Sequence, residues 1–395
     1  MPFSKKALAL SSSKTLELTA LANRLKSEGK KIVAFTAGEP DFNTPEYIKT
    51  EAHKAIDNNF TRYTPSLGTD RLRELVAEYE SKRLTRRITK DEVFIAPGAK
   101  FAIFATLQLL VEDDDEVIII SPYWLSYPEM VTLAGGKTVL VETKLEDGFQ
   151  LNPESLESAI TRTTKAIIIN SPNNPTGVVY TKNTLRSIGE ILKKHPWVYL
   201  ISDDIYENLI FEGAEKTTLA GCEPELFERC ITINGVSKSF AMTGWRIGWG
   251  VASKEIVDII GKILSHTVSS SVSISQKAAE SALAGNMREV EQMRIQYEKR
   301  KNLISSLLKG IPGVRFVEPQ GTFYLFLDVS QYTKNRFKSS IELSKYLLEE
   351  AGIVVVPGEP FGANGFIRLS YAISEEDIIT GCERLKGALS KIAEQ

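Results

Sequence analysis

The 395-residue sequence has few cysteines and histidines and no long apolar run. Its three cysteines, Cys222, Cys230 and Cys382, are odd in number and show no CxxC spacing. Neither a disulfide framework nor a zinc site is therefore expected. The three histidines also lie far apart, without the spacing of metal ligands. The sequence predicts no metal site.

Patterns typical of a membrane span or a secretory signal are also missing. The longest apolar-rich run, Phe101 to Val111, is shorter than the roughly 18 residues expected of a spanning helix, and it contains Gln108. Lys5 and Lys6 are not followed by an apolar segment with a cleavage site. We therefore expect a cytoplasmic protein.

Neither sign of charge dominates the sequence. The 48 Lys and Arg residues nearly balance the 50 Asp and Glu residues, which gives a net charge of −2. This balance provides no broad positive field for nucleic acid or an anionic membrane. A chain of 395 residues can form two or three domains, and its 43% hydrophobic content is ordinary for a globular protein. Small molecules are the favoured partners.

The most informative segment is NGVSKSFAMTGWRIG, which runs from Asn234 to Gly248. Lys238 lies among small and apolar residues, and loss of hydration there lowers the pKa of the amine and frees it to react with an aldehyde. Arg246 lies between glycines that let the backbone approach a ligand, and its guanidinium can bind a phosphate with two hydrogen bonds. Most lysines are solvated surface charges, but an amine beside a phosphate clamp predicts a pocket for pyridoxal 5′-phosphate, PLP.

A second phosphate-binding element is predicted where the strand from Glu92 to Ala96 ends. The residues Pro97-Gly98-Ala99-Lys100 follow, and an apolar helix begins at once. Free N–H groups and the positive end of the helix dipole bind phosphate at such a turn. Glycine turns of this kind are common in α/β proteins, but together with Arg246 this one would complete a phosphate cup.

Further predicted buried strands end at residues suited to the ring of the cofactor, at the sheet edge where α/β proteins bind ligands. Trp124 would stack on the ring or, alternatively, fill the core. Asn174 can offer its amide to a ring oxygen. Asp203 would keep the ring nitrogen protonated, or else cap a helix, and the phenol of Tyr206 would reach the 3′-oxygen of the ring.

Three other residues gain meaning only in that context. Arg368 lies in a predicted strand, where burial without a partner is costly, so we expect a carboxylate from the protein or from a substrate. The phenol of Tyr63 can donate to a phosphate oxygen, although such a residue more often packs. Gly38 lies in a turn that matters only if a ligand approaches its backbone.

Together these motifs resemble those of class I PLP-dependent aminotransferases, and among them the bacterial aspartate and aspartate/prephenate branch. The resemblance covers the chain from about residue 15 onward. The matching segments are Gly38-Glu39-Pro40-Asp41-Phe42, Tyr63, Gly98-Ala99-Lys100, Ser121-Pro122-Tyr123-Trp124, Asn173-Asn174-Pro175-Thr176-Gly177, Asp203 with Tyr206, the Lys238 segment and Arg368-Leu369-Ser370-Tyr371.

The resemblance implies PLP-dependent transferase fold type I, an α/β fold. Its large domain, residues 45–285, would hold a seven-stranded, mostly parallel sheet. Residues 286–395 would form a smaller α+β domain, to which the N-terminal arm at 1–44 contributes. It also implies a homodimer with shared active sites.

For the ring of the cofactor, the resemblance assigns one role to each predicted residue. Lys238 would attach the cofactor and later move a proton. Asp203 would bind the pyridine nitrogen, and Tyr206 and Asn174 the 3′-oxygen. Trp124 would cover the ring, and both Trp124 and Asn174 would border the substrate.

For the phosphate and the substrate, the resemblance implies a second set of contacts. The phosphate would be bound by the backbone of Ala99 and Lys100, by Arg246, and by Tyr63 from a second subunit. Many relatives have a phosphate-binding serine where this chain has Gly235, and whether Ser237 substitutes is left open. Arg368 would bind the substrate α-carboxylate under a closing Gly38, and Lys100 the distal carboxylate.

The implied reaction is a ping-pong exchange of an amino group between L-aspartate and 2-oxoglutarate, which yields oxaloacetate and L-glutamate. Prephenate, aromatic amino acids or alanine are alternative substrates. A β-lyase or another PLP enzyme of the same fold is an alternative reaction, because reaction type follows the site rather than the fold. A non-catalytic regulator is disfavoured, since every core site residue is present.

Overall fold

The computed structural model describes residues 3–335 and 337–394. The strands alternate with helices along most of the chain, as expected for an α/β protein. The strands are β1 (Val33–Ala34), β2 (Val93–Ala96), β3 (Glu116–Ser121), β4 (Lys137–Glu142), β5 (Thr164–Asn170), β6 (Tyr199–Asp203), β7 (Cys230–Gly235), β8 (Gly248–Val251), β9 (Tyr324–Asp328), β10 (Ile353–Val354), β11 (Val356–Pro357) and β12 (Phe366–Ser370).

The helices flank these strands and vary from one turn to 21 residues in length. They are α1 (Lys5–Leu8), α2 (Lys14–Ser27), α3 (Glu46–Asp57), α4 (Asp70–Arg83), α5 (Ala99–Leu110), α6 (Ser126–Ala134), α7 (Pro153–Ala159), α8 (Lys182–Lys194), α9 (Leu219–Cys222), α10 (Val236–Ser239), α11 (Lys254–Thr267), α12 (Ser273–Ala284), α13 (Arg288–Leu308), α14 (Ser330–Asn335), α15 (Ser340–Ala351) and α16 (Glu375–Ala393).

Seven strands form the main sheet, in the order β2-β8-β7-β6-β5-β3-β4. All the pairings are parallel except those of β8, which runs antiparallel to both β2 and β7. The central strands are rich in Ile and Val and are buried, as strands covered by helices on both faces must be. The prediction of a seven-stranded, mostly parallel sheet is confirmed.

Two strands of this sheet, β4 and β8, were not predicted from the sequence. Strand β4 lies at the sheet edge and mixes polar with apolar residues, so it lacks the continuous apolar run of its neighbours. Strand β8 reads Gly-Trp-Gly-Val, and glycine ordinarily weakens a strand. A Cβ on Gly250 would lie 2.2 Å from the ring of Phe94, so close packing requires glycine there.

Two smaller sheets complete the fold, and one of them joins the two ends of the chain. Strand β1 pairs in parallel with β10, and β11, β12 and β9 form an antiparallel sheet in that order. Arg368 lies on β12, the central strand, opposite Val356 and Phe326. Among the described residues, no helix combines the length and the apolar character needed to cross a bilayer.

Candidate active site

A cavity of about 240 Å³ opens where the parallel strands of the main sheet end. Strand β5 ends at Asn170 and β6 at Asp203, while Lys238 follows β7 on α10. Among the predicted residues, those that line this cavity are Gly38, Ala99, Lys100, Trp124, Asn174, Asp203, Tyr206, Lys238, Arg246 and Arg368. Tyr63 is absent from the lining and is 91% exposed on the surface.

Lys238 borders the cavity with a partly exposed side chain. Its Nζ donates a hydrogen bond to the backbone oxygen of Gly38 at 2.5 Å. Burial lowers the pKa of the amine to about 8, although the nearby carboxylate of Glu39 opposes this shift. At pH 7 about a tenth of the amine would therefore be neutral and able to react, far more than for an ordinary lysine.

Asp203 is buried, and its carboxylate has two neutral donors. Tyr127 donates from its hydroxyl to Oδ2 at 2.7 Å, and the backbone N–H of Ile205 donates to Oδ1 at 3.3 Å. Burial raises the pKa of Asp203 to about 6, while both donors lower it. A cationic partner would favour the ionised carboxylate further. Tyr127, on α6, was not predicted because its sequence gave it no distinguishing motif.

Tyr206 and Asn174 lie on two neighbouring loops of the cavity. The hydroxyl of Tyr206 is 3.2 Å from that of Tyr324, which was also not predicted. The backbone N–H of Asn174 donates to Oδ1 of Asn170 at 2.8 Å, and Nδ2 of Asn170 donates to the backbone oxygen of Asp203. Asn170 thereby ties the loops that follow β5 and β6.

Arg368 is fully buried without an acidic partner among the described residues. It donates to Oδ1 of Asn174 at 2.9 Å and to the backbone oxygen of Thr36 at 3.4 Å. Its guanidinium lies 4.2 Å from the centroid of the Tyr324 ring, and its Nε has no hydrogen-bond partner. The sequence predicted a carboxylate partner for Arg368 from the protein or from a substrate. Since the described residues provide none, the substrate is the source that remains.

A turn and an arginine form the opposite end of the cavity. Gly98 precedes α5 with a φ of 89°, a conformation that favours glycine. A Cβ on Gly98 would lie 2.4 Å from Arg246, whose guanidinium donates to the backbone oxygens of Thr243 and Pro97. The free N–H groups at the start of α5 and the guanidinium thus meet at one place, as the predicted phosphate cup requires.

Gly235, where the resemblance implies a phosphate-binding serine in many relatives, has no room for a side chain in this structure. A Cβ there would lie 2.9 Å from both the Cα of Gly248 and the backbone oxygen of Ile247. Strands β7 and β8 thus approach too closely for any side chain. Ser237 is buried and lines the cavity, so its hydroxyl is a candidate to contact the phosphate instead.

Trp124 and Lys100 border the cavity together. The indole of Trp124 packs edge-on against Tyr127, with ring centroids 5.3 Å apart. The Nζ of Lys100 lies 4.8 Å from the centroid of the Trp124 ring. Partial burial, together with the charge of Arg246, lowers the pKa of Lys100. Its ammonium forms no ion pair with any residue that the structure describes.

These features match the chemistry of PLP group by group. The cavity offers an amine of lowered pKa for the aldehyde, a buried acid without a bound cation for the ring nitrogen, and a glycine turn beside a guanidinium for the phosphate. The unbonded Nε of Arg368 adds a site for a carboxylate. The residues present therefore fit the cofactor and an amino acid.

Comparisons with known proteins agree with this assignment. Residues 30–385 match the family model described as aminotransferase class I and II. Aspartate aminotransferases of Bacillus subtilis and Geobacillus stearothermophilus are 41% and 43% identical to the chain. The alignments cover 99% of the chain and 100% of the B. subtilis protein, and 98% of both in the G. stearothermophilus comparison.

Solved structures show the same similarity. Aspartate aminotransferase from Thermus thermophilus with maleate superimposes with a TM-score of 0.93 at 40% identity, and the match covers 98% of this chain and 100% of that one. Aspartate aminotransferase from Rhizobium meliloti gives a TM-score of 0.94 at 36% identity, over 99% of each chain.

The fold and the site define a PLP-dependent transferase of fold type I. The chain belongs to the class I and II aminotransferase family, and it is an aminotransferase that uses PLP and acts on amino and oxo acids. The predicted fold, family and cofactor are confirmed. The roles of single site residues stay proposals.

Proposed function

We propose that the protein exchanges an amino group between L-aspartate and 2-oxoglutarate by a ping-pong mechanism, yielding oxaloacetate and L-glutamate. One observation carries this proposal: Arg368 and Lys100 border the same cavity as Lys238 without internal acidic partners among the described residues. A dicarboxylic amino acid has one carboxylate for each cation. The names of the relatives, and the dicarboxylate maleate in the Thermus structure, support this substrate class.

The residues that would hold the cofactor follow from the positions described above. Asp203 binds the ring nitrogen, Tyr206 and Asn174 the 3′-oxygen, and Trp124 the ring face. When bound, the cofactor supplies an aldehyde and a ring that accepts electrons from the Cα bond of the substrate. The buried charge of Asp203 keeps the ring nitrogen protonated, which strengthens that acceptance.

The phosphate of the cofactor would lie at the glycine turn before α5. The backbone N–H groups of Ala99 and Lys100 and the guanidinium of Arg246 bind it, and Ser237 adds a hydroxyl. The fixed positive groups hold the phosphate end still while the ring end reacts.

Lys238 both attaches the cofactor and transfers the proton. When it is not bonded to the cofactor, the neutral amine of Lys238 would accept the proton that the substrate Cα loses, and it would later give that proton back. In the cofactor-free protein, burial lowers the pKa of this amine, which favours its neutral form. Arg368 binds the α-carboxylate with two N–H groups, and Gly38 closes over it, which orients Cα toward Lys238.

Tyr63 is best explained by a homodimer with shared sites. Its side chain is 91% exposed and lies outside the cavity of its own chain. In the proposed dimer, Tyr63 of each copy reaches the phosphate at the other copy. Sedimentation should give twice the chain mass, and Tyr63→Phe should weaken PLP binding without changing that mass. A monomer that is fully active would contradict the shared site.

The substrate is tested by mixing the PLP-loaded protein with L-aspartate and, separately, with L-alanine and L-phenylalanine. The visible absorbance of the bound cofactor should fall rapidly with aspartate and return when 2-oxoglutarate is added. Lys238→Ala serves as the control and should lack both the wild-type absorbance and turnover. Release of ammonia without need for an oxo acid would instead indicate a β-lyase.

Lys100→Met tests the proposed distal carboxylate contact. Methionine keeps the unbranched shape but removes the charge, so kcat/KM should fall for aspartate and hardly change for alanine. An equal loss for both amino acids would contradict the assignment of Lys100.

Prephenate is a second candidate amino acceptor, because a Thermus thermophilus relative at 40% identity is named aspartate/prephenate aminotransferase. Prephenate also carries two carboxylates, which fits the same two cations. Adding prephenate in place of 2-oxoglutarate to the aspartate-treated enzyme tests this candidate directly.

A further inference from the structure

A buried ionic cluster lies behind the active site, around Arg83 at the end of α4. Each guanidinium nitrogen of Arg83 pairs with a different carboxylate. Nη1 lies 2.9 Å from Glu80, Nη2 lies 2.5 Å from Asp204, and Nε lies 2.6 Å from Glu207. All four side chains are 14% exposed or less. We call these four residues the Arg83 cluster.

Neutral side chains complete the hydrogen bonding of the Arg83 cluster. Glu80 accepts from the indole N–H of Trp249 at 2.8 Å, and Asp204 from the hydroxyl of Ser202 at 2.7 Å. Asn234 donates to Glu207 at 2.9 Å and also to Glu80 at 3.2 Å. The cluster therefore contacts β6, β7 and β8 as well as α4.

The segment after β6 is also hydrogen-bonded to α10. Glu207 accepts hydrogen bonds from the hydroxyl of Tyr79 and from Asn208. Asn208 also donates to the hydroxyl of Ser239 at 3.0 Å. The loop that follows Asp203 and carries Tyr206 is thereby tied to the helix that carries Lys238.

The sequence positions of these contacts follow a pattern. Asp203, Tyr206 and Lys238 line the cavity. The residue that follows each of them in the chain, Asp204, Glu207 and Ser239 respectively, contacts the Arg83 cluster or the Asn208 bonds that extend it. Each of these three cavity residues thus has its next neighbour in the chain held by the Arg83 cluster or by Asn208.

We propose that Arg83 is a positioning residue for the aminotransferase reaction. It holds the backbone at Asp204 and Glu207, and through Asn208 the backbone at Ser239, so that Asp203, Tyr206 and Lys238 keep one fixed geometry. This inference rests on the proposed roles of those three residues. It does not depend on which amino acid is the substrate.

The charges explain why Arg83 has this effect. One guanidinium serves three buried carboxylates, so its removal leaves like charges close together without compensation. Those carboxylates would take up protons or move apart, and either change displaces the backbone at Asp204 and Glu207. A displacement of about 1 Å at reacting groups costs about 100-fold in rate.

The test compares Arg83→Met and Glu207→Gln with wild type in the full-length protein. We expect kcat for aspartate to fall about 100-fold in Arg83→Met and about tenfold in Glu207→Gln, with KM changed far less. A second readout needs no substrate: the rate at which cofactor-free protein regains the visible absorbance after mixing with PLP. It should fall in both variants, because Lys238 no longer faces the aldehyde correctly.

Arg294→Met is the matched control for losing a partly buried cation. The side chain of Arg294 is 13% exposed, as is that of Arg83, and it pairs with Glu291 and Glu298 on its own helix, α13. It does not line the cavity. Its variant should be destabilised yet keep wild-type kcat and a wild-type rate of cofactor attachment.

The proposal is overturned if folded Arg83→Met attaches PLP and turns over at rates within about twofold of wild type. It is equally overturned if turnover and PLP attachment fall as far in Arg294→Met as in Arg83→Met, since the effect would then come from general destabilisation. If Arg83→Met does not fold, turnover and PLP attachment are measured in the milder Glu207→Gln and Tyr79→Phe variants instead. Wild-type values of both rates in these variants would overturn the proposal. If wild type attaches PLP normally but does not convert aspartate, only the proposed substrate fails.

Discussion

Two buried arginines of this enzyme have opposite surroundings. Arg83 pairs with three carboxylates, whereas Arg368 contacts an amide oxygen, a backbone carbonyl and the face of Tyr324. Burying a charge is costly unless an opposite charge compensates it. Arg83 thus has its charge compensated within the protein, while Arg368 has no acidic partner among the described residues and is the arginine that we propose binds a substrate carboxylate.

The pKa shifts of the two guanidinium groups reflect the same contrast. Burial lowers the pKa of both. At Arg83 the carboxylates of Glu207, Glu80 and Asp204 outweigh burial and raise the pKa. At Arg368 burial prevails and the pKa is lowered, against only the phenols of Tyr324 and Tyr206. The charge of Arg368 is therefore destabilising in the cofactor-free protein, and a bound carboxylate would relieve that cost.

The largest expected effect is on stability at Arg83. Arg83→Met should lower the free energy of unfolding by about 3–5 kcal/mol, because it leaves three buried carboxylates without their cation. Denaturant unfolding of the cofactor-free protein measures this change. A loss below about 1 kcal/mol, the range of exposed ion pairs, would contradict the distinction between the two arginines.

Arg368→Met should give the reverse pattern. We expect the α-carboxylate to lose about 2–5 kcal/mol of binding in the transition state. The value of kcat/KM for aspartate should therefore fall roughly 30- to 5000-fold. The cofactor-free protein should be as stable as wild type or more stable, since an uncompensated buried charge is removed. Steady-state kinetics and denaturant unfolding measure the two quantities. A marked loss of stability would mean that Arg368 is structural as well.

The adjacent aspartates extend the comparison, because Asp204 binds Arg83 whereas Asp203 has only neutral donors. Tyr127→Phe removes the hydroxyl that lowers the pKa of Asp203, so the ionised carboxylate becomes less favourable. We expect PLP to bind about tenfold more weakly, the value of one hydrogen bond to a charged group. Titration of the cofactor-free variant with PLP measures this. Unchanged affinity would show that Tyr127 does not support Asp203.

The smallest effect concerns Lys238 in the cofactor-free protein. Burial is the main cause of its lowered pKa of about 8, and the positive charge of Arg368 lowers it further. Arg368→Met should therefore shift the pKa of Lys238 upward, so that less neutral amine is present at pH 8. The pH dependence of Lys238 modification by an amine reagent, followed by mass spectrometry, measures the shift. A downward shift would contradict the uncompensated charge of Arg368.

Much of the fold and site followed from local sequence patterns. The apolar runs predicted β3, β5, β6 and β7, because strands covered on both faces are continuously apolar. Asp203 and Lys238 were predicted because each stands at or just after the end of such a strand, and Arg246 because it lies between glycines in the Lys238 segment. The resemblance then gave their roles, which remain proposals.

Other parts could not be predicted because they depend on contacts between distant segments. Tyr127 meets Asp203 across 76 positions, and Arg83 meets Asp204 across 121. In the sequence, Arg83 is one charge on an amphipathic helix, where a solvated position is the ordinary expectation. The role of Tyr63 and the domain limits at 45 and 285 stay predictions, since a single chain does not test them.

The hydrogen bond between Arg368 and Thr36 also spans the order in which the chain is synthesised. It joins residues 332 positions apart, and β1 likewise pairs with β10. A nascent chain presents Lys238 and Asp203 long before Arg368 has been synthesised. Because domains generally fold as units from the N-terminus during synthesis, the cofactor end of the pocket can form first. If Arg368 binds the substrate as proposed, the substrate end of the pocket is completed within the chain only after its last strands have been made.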